Sequence, residues 1–167
     1  GDGTFNYDPN GKFIGLKAGE TAQDTFSYTV ADGSKVSSTA TVTITIIGEN
    51  DAPVAKDVVA SVQEHGPSKT ITASYDDPDT DDTHTFTVDT GATKGKVTVN
   101  GDGTFSYDPN GKFIGLKAGE TATDTFDYVV KDVSGVSSTA TVTMTIIGQN
   151  EVPVISSGSQ GATLIED

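Results

Sequence analysis

Residues 39–47 read TATVTITII, and residues 139–147 read TATVTMTII. In both stretches apolar side chains alternate with threonine, which is the period of a β-strand that buries one face. We therefore expect Val42, Ile44 and Ile46 to point to one side of the strand and the threonines to the other. Because the two stretches start at residues 39 and 139, this strand is one element of a repeat with a period of 100 residues.

The repeat extends well beyond this strand. Residues 1–50 and 101–150 differ at nine positions, which in the first copy are 6, 23, 27, 29, 31, 33, 35, 44 and 49. A constant spacing of one small domain's length predicts a tandem array. We expect residues 1–47 to be the second half of one unit, 48–150 to be a complete unit, and 151–167 to begin the next.

Other alternating segments of the complete unit predict further short strands. They cover residues 58–63, 69–73, 83–88, 96–99, 104–107 and 126–130. Asn100-Gly101 lies between two of them, which is a strong hairpin signal. Helix patterns are nearly absent, and several short strands separated by turns predict an all-β sandwich. The half unit 1–47 would hold the second hairpin strand, the aromatic strand and the final strand, but none of their covering partners.

The aromatic side chains follow the strand alternation and are therefore candidates for the core. They are Phe86, Phe105, Tyr107, Phe113, Phe126 and Tyr128. No exposed aromatic cluster is expected. The two histidines, His65 and His84, have no nucleophile motif beside them and are expected at exposed turn or strand positions.

The composition narrows the class of partner. The chain of 167 residues has 24 acidic and 10 basic side chains, all of them lysine, and a formal charge of −14. This charge argues against nucleic acid, which needs a basic footprint, and against insertion into anionic membranes. The sequence contains no run of 18 apolar residues, so no membrane span is predicted. Cysteine is absent, and calcium is a common alternative means of bracing a small β domain.

The acids are densest in residues 76–82, which read DDPDTDD and place five carboxylates in seven positions. Such a run is strongly self-repelling unless a cation lies within it. Calcium takes six to eight oxygen ligands and favours carboxylates and carbonyls. The run contains neither His nor Cys, so zinc and copper are poor candidates for it.

Several motifs together identify a family resemblance. They are GDGTFSYDPNG at 101–111, LKAGET at 116–121, DTFDYVVKD at 124–132, TVTMTIIG at 141–148 leading into QNEVP, and IIGENDAPV at 46–54. The chain resembles the VCBS-type or cadherin-like repeats of large secreted bacterial adhesins, including the RTX type. The resemblance covers essentially the whole chain and implies an Ig/cadherin-like Greek-key β-sandwich.

The resemblance also implies calcium ions at the junctions between units. At the first junction the matching residues are Glu20, Asn50, Asp51, Asp77, Asp79 and Asp132, with Asp76 as an alternative. At the far junction they are Glu64, Glu120, Asn150 and Glu151. Lys17 stands where the family pattern has an aspartate, and this replacement argues against a second ion at the first junction.

These features predict a non-enzymatic structural extender or stalk module of a bacterial surface or secreted adhesin. The near identity of the copies suits a protein that works by spanning a distance. Its direct partners would be the neighbouring repeats of the same chain. Ligands on cells or carbohydrates would be bound through other domains. The alternatives are a carbohydrate- or cell-binding sandwich and a non-catalytic domain of a secreted enzyme, because a fold alone does not decide function.

Overall fold

The computed structural model describes residues 2–153. The prediction that 151–167 begins another unit therefore falls mostly outside the described residues. Within them the regular structure consists of β-strands, and no helix there is long and apolar enough to span a membrane. The strands are β1 Thr21–Ala31, β2 Ser37–Ile47, β3 Val54–Lys56, β4 Val58–Gln63, β5 Lys69–Thr72, β6 Ser74–Asp76, β7 Thr85–Asp89, β8 Lys96–Val99, β9 Thr104–Asp108, β10 Thr121–Lys131 and β11 Ser137–Ile147.

Strands β3 to β11 form an Ig/cadherin-like Greek-key sandwich, which confirms the predicted fold class. One layer has the order β4-β11-β10-β7, in which β4 runs parallel to β11 and the other neighbours are antiparallel. The other layer contains β5-β9-β8 and the short pair β3-β6. Ala73 separates β5 from β6 and donates its amide hydrogen to the carbonyl of Gly103, at 2.9 Å. The sequence predicted one strand over 69–73 and did not predict β6.

The core lies between these two layers. It contains the inward side chains of β9, β10 and β11, which are almost fully buried: Phe105, Tyr107, Phe126, Tyr128, Val142, Met144 and Ile146. Phe113 is buried as well, and Phe86 packs against the core while partly exposed. The predicted aromatic core is therefore confirmed.

Residues 2–47 contain one antiparallel hairpin, in which Thr21 of β1 lies opposite Ile47 of β2. Among the described strands these two pair only with each other. Residues 4–7 are not a strand, although the sequence predicted one from the copy at 104–107. In the complete unit β9 lies between β5 and β8, and within residues 2–153 no corresponding strands flank residues 4–7.

The same lack of covering strands changes burial. Val130 is fully buried, whereas its copy Val30 is 61% exposed. Phe5 is 53% exposed and contacts Phe26 and Tyr28, with ring centroids 5.4 and 5.1 Å away. The expectation of no exposed aromatic cluster was therefore wrong for the half unit. This cluster is an uncovered core face, because the same positions of the complete unit are buried.

Candidate metal centre

The acidic loop 76–82 connects the end of β6 to β7 and folds back on itself. The Asp79 amide donates to Asp77 Oδ1 at 3.0 Å, and the Asp82 amide donates to the carbonyl of Asp79. Asp79 is buried, and the side chain of Asp77 is 5% exposed. Two of the five acids of this loop therefore lie in the interior.

Hydrogen bonds connect this loop to the linker between the half unit and the complete unit. Asp79 Oδ2 accepts the Asp51 amide at 3.0 Å. Asn50 Nδ2 donates to Asp132 Oδ2 at 2.9 Å and to the carbonyl of Asp51 at 3.0 Å. Five of the predicted site residues, Asn50, Asp51, Asp77, Asp79 and Asp132, thus form one continuous network.

Asp132 anchors this network just after the end of β10. The amide of Asn50 donates to its carboxylate, and this bond is the largest cause of a lowered pKa. Burial of the carboxylate opposes the shift, and backbone amides including that of Val136 add to it. A carboxylate that accepts several hydrogen bonds stays charged, so Asp132 supplies a negative charge at this position.

Two oxygen atoms of the loop are buried without any hydrogen-bond partner: Asp79 Oδ1 and Asp82 Oδ2. Leaving a buried acceptor unpaired is costly, and more so for a charged group. A cation would satisfy both the charge and the empty acceptor positions. The donor set of carboxylates with the Asn50 amide group consists mainly of oxygen, which fits a hard cation such as calcium.

The half unit touches the acidic loop through its turn at residues 15–17. The carbonyl of Gly15 accepts from the amide and the hydroxyl of Thr80, at 3.3 and 3.0 Å. The ammonium group of Lys17 donates to the carbonyl of Asp81 at 2.5 Å. Lys17 therefore places a positive charge at the junction.

Two other residues predicted for the first junction make separate contacts. Glu20 is exposed, and its carboxylate accepts the Lys17 amide at 3.1 Å. Asp76 is also exposed and forms an ion pair with Lys56. Neither residue has a hydrogen bond to the network around Asp79, so their part in a metal site stays a prediction.

At the far junction Glu64 is buried, and both oxygens of its carboxylate already accept hydrogen bonds within the unit. Its carboxylate accepts the amides of Leu116, at 3.3 Å, and Gln149, at 2.7 Å. Glu120 accepts the Lys117 amide at 2.8 Å, as Glu20 does for Lys17 in the first copy.

The remaining residues predicted for the far junction are exposed. Glu151 contacts the side chain of His65, whose own side chain is 43% exposed. Asn150 is exposed too. The predicted next unit falls mostly outside the described residues, so the far site stays a prediction.

The position of His84 differs from the prediction of an exposed residue. Its side chain is 6% exposed, not at the surface, and Nε2 lies 2.7 Å from Asp77 Oδ2. Strand alternation contained the signal: His84, Phe86 and Val88 share the half-buried face of the segment that ends in β7. The absence of His from residues 76–82 was true of the loop but not of its surroundings.

Comparisons with known proteins agree with this architecture. Residues 50–148 match the family model of the bacterial cadherin-like domain, and residues 1–45 match that of a bacterial Ig domain. No curated protein sequence matches the chain.

Solved structures with a similar fold come from cadherins. Protocadherin gamma B7 extracellular cadherin domains 1–4 are 20% identical, with a TM-score of 0.52, over 76% of this chain and 32% of that chain. Mouse Cadherin-23 EC22-24 is 16% identical, with a TM-score of 0.50, over 77% of this chain and 43% of that chain. Human CDH23 EC21-23 is 16% identical, also with a TM-score of 0.50, over 77% and 44%. The chain thus spans less than half the length of these structures, and the likeness concerns the fold.

Proposed function

Because the chain belongs to the bacterial cadherin-like domain family, we propose that it is a structural segment of an extended, calcium-stiffened adhesin. A domain of this family is an adhesion-type module. The finer proposal is that tandem units work as a stalk, and that calcium at the junction limits bending between them. Such a stalk would belong to a secreted or cell-surface protein of the VCBS or RTX type.

The observation that carries this proposal is the buried, unpaired Asp79 Oδ1. The other oxygen of the same carboxylate accepts the Asp51 amide of the linker. A cation bound at Asp79 would therefore act on the group that already fastens the linker to the complete unit. Neutralising this carboxylate would remove the main electrostatic cost of keeping it buried.

The residues that would hold calcium come from three parts of the chain. Asp77 and Asp79 supply carboxylates from the acidic loop, and Asn50 and Asp51 supply oxygens from the linker. Asp132 supplies a carboxylate just after the end of β10. The bound ion would offset the repulsion among these acids. The linker and the complete unit would then move as one body, whereas without calcium the acids repel each other and the junction bends.

The test compares thermal melting and the radius of gyration of the full chain with calcium and with a chelator. Calcium that binds only the folded state stabilises it by about 2.7 kcal/mol at a hundredfold excess over Kd. Extracellular calcium modules often have a Kd of about 10⁻⁴–10⁻³ M, so the titration must reach millimolar calcium. We expect the double variant Asp77→Asn, Asp79→Asn to lose the calcium-dependent gains in melting temperature and compactness.

The matched control is Asp102→Asn, Asp108→Asn, which removes the same charge from two exposed positions of the 101–111 segment. This control should respond to calcium like the parent chain. If the Asp77/Asp79 double variant also responds like the parent, these acids are not ligands and the loop is only a solvated surface.

A further inference from the structure

His84 lies in a prepared position beside the acidic loop. Its ring packs on Tyr75 with centroids 4.7 Å apart, and Nδ1 lies 3.3 Å from the Tyr75 hydroxyl. Its other nitrogen, Nε2, faces Asp77 Oδ2. In metal-binding histidines the second ring nitrogen usually donates to a hydrogen-bond acceptor, which fixes the tautomer and the ring orientation. The Tyr75 hydroxyl can be that acceptor for Nδ1.

Asp82 completes a group of three potential ligands with Asp77 and His84. One ligand atom each from Asp77, Asp82 and His84 lies within 4.8 Å of the other two. Asp82 Oδ1 accepts the Thr83 amide, whereas Asp82 Oδ2 is buried with no partner. The group therefore combines an imidazole nitrogen, two carboxylates and an unsatisfied acceptor.

We propose that Asp77, Asp82 and His84 form a binding site for a divalent transition metal of the zinc type. Imidazole suits zinc, copper and nickel, whereas calcium prefers oxygen ligands alone. Zinc bonds to His and Asp are about 2.0–2.2 Å long, so tetrahedral ligands lie about 3.3 Å apart. The Nε2 to Oδ2 distance of 2.7 Å must therefore open slightly. The Tyr75 hydroxyl would then accept the Nδ1 hydrogen, and water would be the fourth ligand.

This inference goes beyond the proposed function and does not depend on it. The two sites share Asp77, so calcium and zinc would compete for that carboxylate. His84 belongs only to the transition-metal site, and its removal separates the two proposals.

The second histidine group is less suited to a metal. Glu64, His65 and Glu151 also bring ligand atoms within 4.8 Å of one another. However, both oxygens of Glu64 already accept backbone amides, and the side chains of His65 and Glu151 are 43% and 54% exposed. His65 is therefore the natural control, because the chain has two histidines.

The experiment titrates the full chain with Co²⁺ and follows visible absorption, with Zn²⁺ as the competitor. We expect the intense bands of four-coordinate Co²⁺ in the parent and in His65→Gln, and their loss when Zn²⁺ is added. His84→Gln should weaken binding of both ions at least about tenfold, since removing even a second-shell partner typically costs 10–100-fold. Circular dichroism without metal shows whether His84→Gln retains the fold.

A second pair of variants guards against an unfolded His84→Gln. Asp82→Asn removes one ligand charge, and Tyr75→Phe removes only the hydroxyl behind His84; both should weaken Co²⁺ and Zn²⁺ binding about tenfold or more. The proposal is overturned if the parent shows no four-coordinate band at millimolar Co²⁺, or if folded His84→Gln or Asp82→Asn binds within tenfold of the parent. Equal loss in His65→Gln would place the metal elsewhere. The calcium response measured on the same samples reports separately on the proposed function.

Discussion

Asp24 and Asp124 occupy the same position of the repeat in two different surroundings. Asp124 is buried, and its carboxylate accepts from the Thr93 and Tyr107 hydroxyls, both at 2.7 Å, and from the Gly95 amide at 2.9 Å. The side chain of Asp24 is 31% exposed. Its carboxylate accepts only from the Tyr7 hydroxyl and the Thr25 amide, and the ammonium group of Lys12 lies 3.8 Å away. The residues that surround Asp124 from 93–95 have no described counterpart around Asp24.

This difference predicts unequal costs for the same substitution. Asp124→Asn removes a charged acceptor and places an amide hydrogen against donors, so we expect a loss of about 2–3 kcal/mol of unfolding free energy. Asp24→Asn should cost clearly less than Asp124→Asn, because its hydrogen bonds are partly solvated and screened by water. Urea denaturation of the full chain measures both. Equal effects of the two variants would mean that the buried network of Asp124 does not stabilise the unit.

The lowered carboxylate pKa values predict how stability depends on pH. Burial alone would raise the pKa of Asp124, but hydrogen bonds from the Gly95 amide and the Thr93 and Tyr107 hydroxyls outweigh it and lower the pKa. A lowered pKa in the folded state gives stability that is present above the unfolded value of about 3.9 and is lost as pH falls through the folded pKa.

We therefore expect the melting temperature to be nearly constant above about pH 5 and to fall below about pH 4. Asp132, whose pKa is lowered mainly by Asn50, contributes in the same direction. Asp124→Asn should flatten the acid limb, and melting curves between pH 2 and pH 7, all with a chelator, test this. An acid limb of unchanged steepness in the variant would show that Asp124 is not one of the groups responsible.

Residue types alone could predict that acids gather at the junction, but not which of them meet. The run at 76–82 was visible in the sequence, and the family resemblance added Asn50, Asp51 and Asp132. The burial of His84 does not follow from the loop sequence, because it depends on the strand that follows the loop. Its contact with Asp77 depends on the packing of β7, which residue types do not reveal.

At the level of the strands, β9 and residues 4–7 show how far local sequence determines structure. The two segments differ only at Asn6 and Ser106, yet only the second copy forms a strand. Ser106 lies opposite Thr70 of β5 and Thr98 of β8. Alternation therefore predicted where a strand can form, and the presence of both partners decided whether it did. The same limit applies to β6, which is too short to show a clear period.

A pair of proline substitutions tests this dependence on partners. Ser106→Pro removes an amide hydrogen from a central strand and strains its pairing, so we expect a loss of more than about 2 kcal/mol. Asn6→Pro at the matching position should change the main unfolding transition by less than about 0.5 kcal/mol. Urea denaturation of both variants, followed by circular dichroism, compares them. A comparable loss in Asn6→Pro would indicate that residues 4–7 are paired in solution.

On the scale of the whole molecule, the described part of the chain contains one closed sandwich and one open hairpin. In the sandwich, β4 and β7 flank β11 and β10 and close both sides of the pair. In the half unit, neither β1 nor β2 has a second described partner, and the side chains that match the core remain partly exposed. An isolated two-stranded hairpin is marginal in water at best. Among the described residues, the apolar face of β1 and β2 therefore lacks the covering strands that stabilise the closely similar copy at 121–147.

These facts predict that a separate peptide of residues 1–47 is unfolded, and that a peptide of residues 48–100 restores its structure. The second peptide contains β3 to β8, which cover the equivalent hairpin in the complete unit. The inward positions of the two hairpins are the same except that Ile44 replaces Met144, so the fit should be preserved.

Mixing the two peptides should give a complex with 1:1 stoichiometry by sedimentation and a strand signal by circular dichroism. Phe26→Asp is the control that should abolish it, because the matching Phe126 is fully buried. A 1–47 peptide that melts cooperatively as a monomer, or a mixture as unstructured as its parts, would contradict the prediction.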